Sequence, residues 1–253
     1  MLKLFSIILL NVKQGIREKT FWVVGFFFLF LLGFSLFLGE LSIGEKEVVL
    51  RDIALSSIEI SCLFLIVLGL VYDFYREKNT RLKEIYLSYF SHAIYLGGKL
   101  IGYIFICLIY VLLASLLASL ILFLNRAYLW QFFLGSYTIF LKLSIFCGIC
   151  LLFSSLFEYP LLASISTILT YIASELSYNA LKIVNVSKNI FIKIFLKSVY
   201  HILPNADKID IKYCVIYGET PSLHFFANIT LYVIIYLLFL YFLSVLIFRG
   251  KEH

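Results

Sequence analysis

The chain has 253 residues, 62% of them hydrophobic and only 14% charged, with a mean hydropathy of +1.01 and a formal net charge of +6. A soluble domain sits nearer ~45–50% apolar and ~25% charged, so water is excluded as the main solvent. Few Gly and Pro, with 18% aromatic residues, exclude disordered and collagen-like chains, leaving an all-α polytopic membrane protein.

The first apolar run, Leu4–Leu10, is short, is followed by Lys13 and lacks a small-residue cleavage site, so it does not read as a secretory leader. Phe5, Ile8, Leu9, Val12 and Ile16 share one helical face, with Lys13, Gln14 and Arg17 off it. That is the pattern of an interfacial helix over residues 1–19. A span needs ~20 apolar residues. Counting between charges predicts six, at about 20–39, 54–72, 100–125, 136–157, 160–182 and 225–248. Glu158-Tyr159-Pro160 divides the fourth from the fifth.

Between the second and third spans, Leu82, Ile85, Tyr86, Tyr89 and Ala93 recur at helical spacing within 76–95. Arg76, Glu77, Lys78, Arg81, Lys83 and Glu84 crowd the first turns of that segment. Mixed charge beside aromatics fits a cytosolic helix that docks into another protein, whereas a helix lying on lipid would be more uniformly basic. A plain interfacial connector is the alternative. In the loop 183–224, Lys193, Lys197 and His201 form a stripe opposite Ile190, Phe191, Ile194, Phe195 and Val199. At roughly 15 residues this piece is too short to span. It reads as an amphipathic helix in the outer leaflet, with a re-entrant segment as the alternative.

Lys and Arg cluster at the ends of apolar runs, where the anionic headgroups of the bilayer, and not nucleic acid, are the expected partners. With the N-terminus inside, eleven lie on the cytosolic side and nine outside, six of the nine in the stretch 182–224. Setting that long loop aside leaves eleven against three, which predicts cytosolic termini. The size and layout suit a prokaryotic cytoplasmic (inner) membrane.

Ionisable groups inside a bilayer cost at least ~2.5–3.5 kcal/mol at its centre and invite a functional reading. Glu59, near one end of span two, is expected to reach the headgroups, and Lys142 to snorkel. Glu175 lies about 15 residues into span five, ~22 Å at 1.5 Å per residue, beyond mid-membrane. It and Glu59 are candidates for a translocation path, with a structural hydrogen bond as the other reading of Glu175. Gly98-x-x-x-Gly102 and Ala114-x-x-x-Ala118 permit close helix approach, within the chain or at a dimer seam. The five cysteines are an odd number, and Cys147-x-x-Cys150 has neither His nor acid beside it, so packing is expected and no metal or cofactor site.

Other classes fit less well. No H-E-x-x-H occurs and the four histidines are scattered, so an intramembrane enzyme is not indicated. A secondary transporter or channel would want buried charges gathered around one site, and no repeat relates the two halves.

The order of several short features resembles a known family. An interfacial helix precedes span one, and Asp52 with Ser56 introduces span two. Glu77, Thr80 and Leu87-Ser88 lie in the charged segment, and Tyr95-Leu96-Gly97-Gly98-Lys99 leads into span three. Ser154-Ser155-Leu156-Phe157 closes span four, and Leu203-Pro204-Asn205 precedes Asp210 and Tyr217-Gly218. Together they resemble, over nearly the whole chain, the permease subunit of type-2 ABC exporters. The chain departs from that pattern in lacking a proline after Leu87-Ser88 and in carrying His92 where an arginine is common. The resemblance implies a homodimer or a pair of permeases. Arg76, Glu77, Thr80, Arg81, Lys83 and Glu84 would engage separate ABC ATPase subunits, with Gly98 and Lys99 at the junction with span three. The chain has no G-x-x-x-x-G-K-[ST] phosphate loop, in keeping with ATP hydrolysis on a partner.

Overall fold

The computed structural model describes residues 2–42, 45–80, 89–186 and 203–250, with 2–4, 79, 177–186 and 207 as backbone. Every regular element among them is helical. Helix α1 (Leu2–Arg17) turns at Glu18 into α2 (Lys19–Leu41). Helix α3 (Lys46–Phe64) runs through a π-helical turn, Leu65–Leu70, into α4 (Val71–Asn79). Then come α5 (His92–Leu124), α6 (Gln131–Leu156) and α7 (Pro160–Val186). Two short helices, α8 (Ala206–Ile209) and α9 (Lys212–Ile216), precede α10 (Leu223–Gly250).

Five helical stretches are long and apolar enough to cross a membrane: Lys19–Leu41, Lys46–Lys78, His92–Leu124, Gln131–Leu156 and Leu223–Gly250. Pro160–Leu176, within α7, is a shorter apolar helix. Helix α2 shows how such a sequence divides its surface. Phe21, Val24, Phe28, Leu32, Ser35 and Gly39 recur every three to four residues and are buried, while Trp22, Phe26, Phe30 and Phe37 on the other side are exposed. A helix apolar all round needs protein on one face and lipid on the other. Helix α6 is the most enclosed, packing against α3, α5, α7 and α10.

Lipid is as apolar as leucine, so helix association here rests on close packing and interhelical hydrogen bonds. The seam between α1 and α5 is the tightest case. A methyl group on Gly98 would stand 2.5 Å from Ile7 Cγ2, and one on Gly102 would stand 2.8 Å from Asn11 Cβ. Asn11 Nδ2 donates to the Gly98 carbonyl at 3.2 Å. Gly98-x-x-x-Gly102 therefore serves packing within the chain. Ile7, Asn11 and Gly15 form the buried side of α1, and Phe5 and Leu9, from the expected interfacial face, stay exposed.

The helices continue past the charges that bound the predicted spans. Asp73, Arg76 and Glu77 belong to α4, and α5 begins at His92, ahead of Lys99. The segment 76–95 is thus not one helix. Its ends continue the long helices, because the charges there are paired inside the bundle. Residues 81–88, with Arg81, Lys83 and Glu84, and the amphipathic stretch expected over 190–201 lie outside the described residues.

Candidate functional site

Two ionic networks lie toward opposite ends of the helices. The first is on the side of the segment 203–222, called here the loop face. Lys142 of α6 is its centre. Its ammonium is 2.5 Å from Glu59 Oε1 of α3, bonds Glu175 of α7, and lies 3.6 Å from Asp210 Oδ2. Lys212 bonds the other oxygen of Glu59, and Tyr171 of α7 donates to Glu59 Oε1 at 2.7 Å. The Lys142 and Glu59 side chains are each only 2% exposed. Both side chains end on ion-pair partners inside the bundle. Glu175, Asp210 and Lys212 form the more accessible edge, at 33%, 24% and 20%.

The segment that brings in Asp210 and Lys212 is itself anchored. Arg51 of α3 donates to the carbonyls of Ala127 at 2.6 Å and Ile216 at 3.0 Å. Gln131 Nε2 donates to the Gly218 carbonyl at 3.0 Å, and Ser174 donates to that of Pro204. Gly218 has φ +79°, a left-handed turn that glycine adopts without a Cβ penalty. Asp210 and Lys212 are thereby set among α3, α6 and α7, more than ten residues inside the loop-face ends of those helices.

The second network is on the side of α1. Arg76 bonds Glu18, at the α1–α2 junction, and lies 2.8 Å from Asp73 Oδ1. Tyr103 of α5 donates to Asp73 Oδ2. One turn on, Glu77 Oε2 is 2.8 Å from Lys99 Nζ and accepts from Tyr95 at 2.6 Å. The Lys99 ammonium also lies 5.6 Å from the Phe74 ring centre and 5.9 Å from that of Tyr95, within cation–π range. Lys99 and Glu77 are 1% and 4% exposed, whereas Thr80, whose hydroxyl donates to the Arg76 carbonyl at 2.7 Å, is exposed. Burial, reinforced by the neighbouring Asp73 carboxylate, pushes the Glu18 carboxyl up from 4.5 to about 7, although Arg76 opposes the shift.

Of the residues singled out from the sequence, Glu59 and Glu175 thus meet in one network, and Arg76, Glu77 and Lys99 in the other, while Gly98 carries the α1 seam. Lys142, Tyr171, Asp210 and Lys212 were not foreseen as members of one site, nor were Glu18, Asp73 and Tyr103 of the other. One signal for the first was available. Lys142 lies 16 residues before Glu158 and Glu175 lies 17 after it, so a hairpin at 157–159 sets them at equal depth.

The cysteines pack as expected. Cys147 Sγ is 3.6 Å from Cys107 Sγ of α5, and Cys150 Sγ is 3.9 Å from the Ile66 carbonyl in the π-helical turn. Among the described residues no group of three or more His, Cys, Asp or Glu side chains could hold a metal ion. No family model matches the chain, and no curated protein matches it.

Proposed function

We propose that this chain is the membrane-spanning permease subunit of an ATP-driven ABC transporter of the type-2 exporter kind, moving its substrate with energy from ATP hydrolysed on separate subunits. Two copies, or this chain and a second permease, would form the pathway in a cytoplasmic membrane, with both termini cytosolic. The reading counts six spans, the sixth being α7. Its 27-residue helix extends ~40 Å at 1.5 Å per residue, against a hydrocarbon core of ~30 Å.

The observation that carries the reading is the ionic tie at the root of the connector between α4 and α5. Arg76 and Glu77, in the last turn before it, are bonded to Glu18 beside α2 and to Lys99 of α5. A displacement imposed on the connector by a partner is therefore passed to several helices at once. Thr80, Arg81, Lys83 and Glu84 would meet the ATPase, and Arg76, Glu77 and Lys99 would transmit its movement. The test is purification of the tagged chain from its native membrane in mild detergent. A separate chain with nucleotide-binding motifs should accompany it in equal amount and be lost when Arg81, Lys83 and Glu84 are reversed in charge. Repeated recovery of the chain alone, with control transporters intact, would overturn the proposal.

One observation favours a second reading, an ion-gradient-driven secondary transporter. Such a protein wants buried charges around one site, and Glu59, Glu175 and Asp210 do converge at Lys142. Substrate uptake by proteoliposomes under a proton or sodium gradient without ATP would favour it over the first.

A further inference from the structure

A cavity of about 710 Å³ opens between the segment 208–221 and the start of α10. That volume falls within the ~300–1,000 Å³ usual for small-molecule sites. Ile209, Ile211 and Ile229 supply apolar wall, and Phe225 and Tyr232 supply aromatic wall. Asp210 belongs both to this wall and to the Lys142 network.

The charge of that network is what makes the wall selective. Three carboxylates, Glu59, Glu175 and Asp210, share two ammonium groups, Lys142 and Lys212. Glu59 is held by both lysines and Glu175 is bonded to Lys142. Asp210 is left with Lys142 at 3.6 Å, too long for a good hydrogen bond, and with the Lys212 backbone N–H at 2.8 Å. The excess negative charge therefore sits on Asp210, the carboxylate of the network that lines the cavity. Lys208 and Glu219 are exposed at the rim and offset each other in sign. An under-neutralised carboxylate beside aromatic and aliphatic walls suits a cation with an apolar body, through charge pairing and cation–π attraction.

We propose that this cavity binds an organic cation with an apolar body, its charged centre taken up by Asp210. The proposal rests on the transport reading and names a ligand class for it. It is tested on this chain alone, so loss of the ATPase partner would sink the permease reading without touching this one.

Cys214 lines the cavity and is half-buried, whereas Cys62, Cys107, Cys147 and Cys150 are fully buried, so one native thiol reports on the site. The full chain in lipid nanodiscs is treated with N-ethylmaleimide, and alkylation of Cys214 is followed by peptide mass spectrometry. Tetraphenylphosphonium should slow alkylation saturably, and tetraphenylborate, of the same shape and opposite charge, should not. Asp210→Asn should raise the protecting concentration about tenfold, the scale of losing one charge-assisted contact. Ile229→Trp, which fills the cavity and leaves the charges in place, should abolish protection, and it decides the matter if Asp210→Asn alters alkylation without probe. No protection, equal protection by both ions, or protection that survives in both variants would overturn the proposal.

Discussion

The two ionic networks have the same formal inventory, three carboxylates and two cations, and balance it differently. On the α1 side, Glu18, Asp73 and Glu77 face Arg76 and Lys99. There the excess charge falls on Glu18, whose carboxyl is pushed up to about 7 by burial and by Asp73, so that it takes up a proton as pH falls through neutrality. Tyr103 and Tyr95 each donate to one of the other two acids. On the loop face one ammonium, Lys142, serves three acids, and the unmatched carboxylate stands at a cavity wall. The first network carries its excess charge inside the bundle, on Glu18. The second, tied by Lys142 and Lys212 with one phenol from Tyr171, carries its excess at a cavity wall.

That contrast predicts unequal fragility. Lys142→Met should be the most damaging single change, about 3–5 kcal/mol, because it strands buried carboxylates. Thermal unfolding in detergent should show this, with part of the loss recovered in Lys142→Met/Glu59→Gln. An unchanged melting curve for Lys142→Met would mean that the acids are hydrated and the network is not a structural centre. Lys99→Met should cost less, about 2–3 kcal/mol, since it strands one carboxylate that keeps its bond from Tyr95. If it matched Lys142→Met, the division of labour between the networks would fail.

A further effect should be one of pH. The Glu18 carboxyl titrates higher in the folded chain, near 7, than its ordinary 4.5, so the folded state binds the extra proton. Its contribution to stability is fully present below the ordinary value and is lost as pH rises through about 7. Glu18→Gln should flatten the melting temperature in that window, and a carboxylic-acid infrared band with its midpoint near pH 7 should disappear. A band that persists in the variant would reassign the proton.

What could be read from the sequence divides along the same physical line. The helical class and the membrane setting follow from composition and from charge-free runs such as 20–39. The break at Glu158-Tyr159-Pro160 is also plain, and Pro160 opens α7, where its missing N–H has no intrahelical role. That the helices continue through Asp73 and Lys99, beyond the predicted span bounds, was not legible, because a run of letters does not say whether a charge faces water or a partner from another helix. The same ambiguity hid Lys142. A lysine some way into a span can snorkel or pair, and only the positions of Glu59, Glu175 and Asp210 decide between them. Asp210 and Lys212 come from a loop, whose route in among the helices no periodicity records.

The π-helical turn at Leu65–Leu70 has a consequence for how this polypeptide tolerates change in length. Upstream of it, α3 presents Glu59 to Lys142; downstream, α4 presents Asp73 and Glu77 to α5. The turn sets the angular phase between these two charged faces of one continuous rod. A π-helical turn takes in about one residue more than regular helix for nearly the same rotation, so deleting a single residue there would restore regular helix and leave α4 close to its present angle. The stretch can therefore give up one residue and keep the two networks in phase, whereas a one-residue deletion in the regular part of α3 beyond Glu59 would rotate α4 by about 100°, the step of one residue in a 3.6-residue turn, and uncouple them.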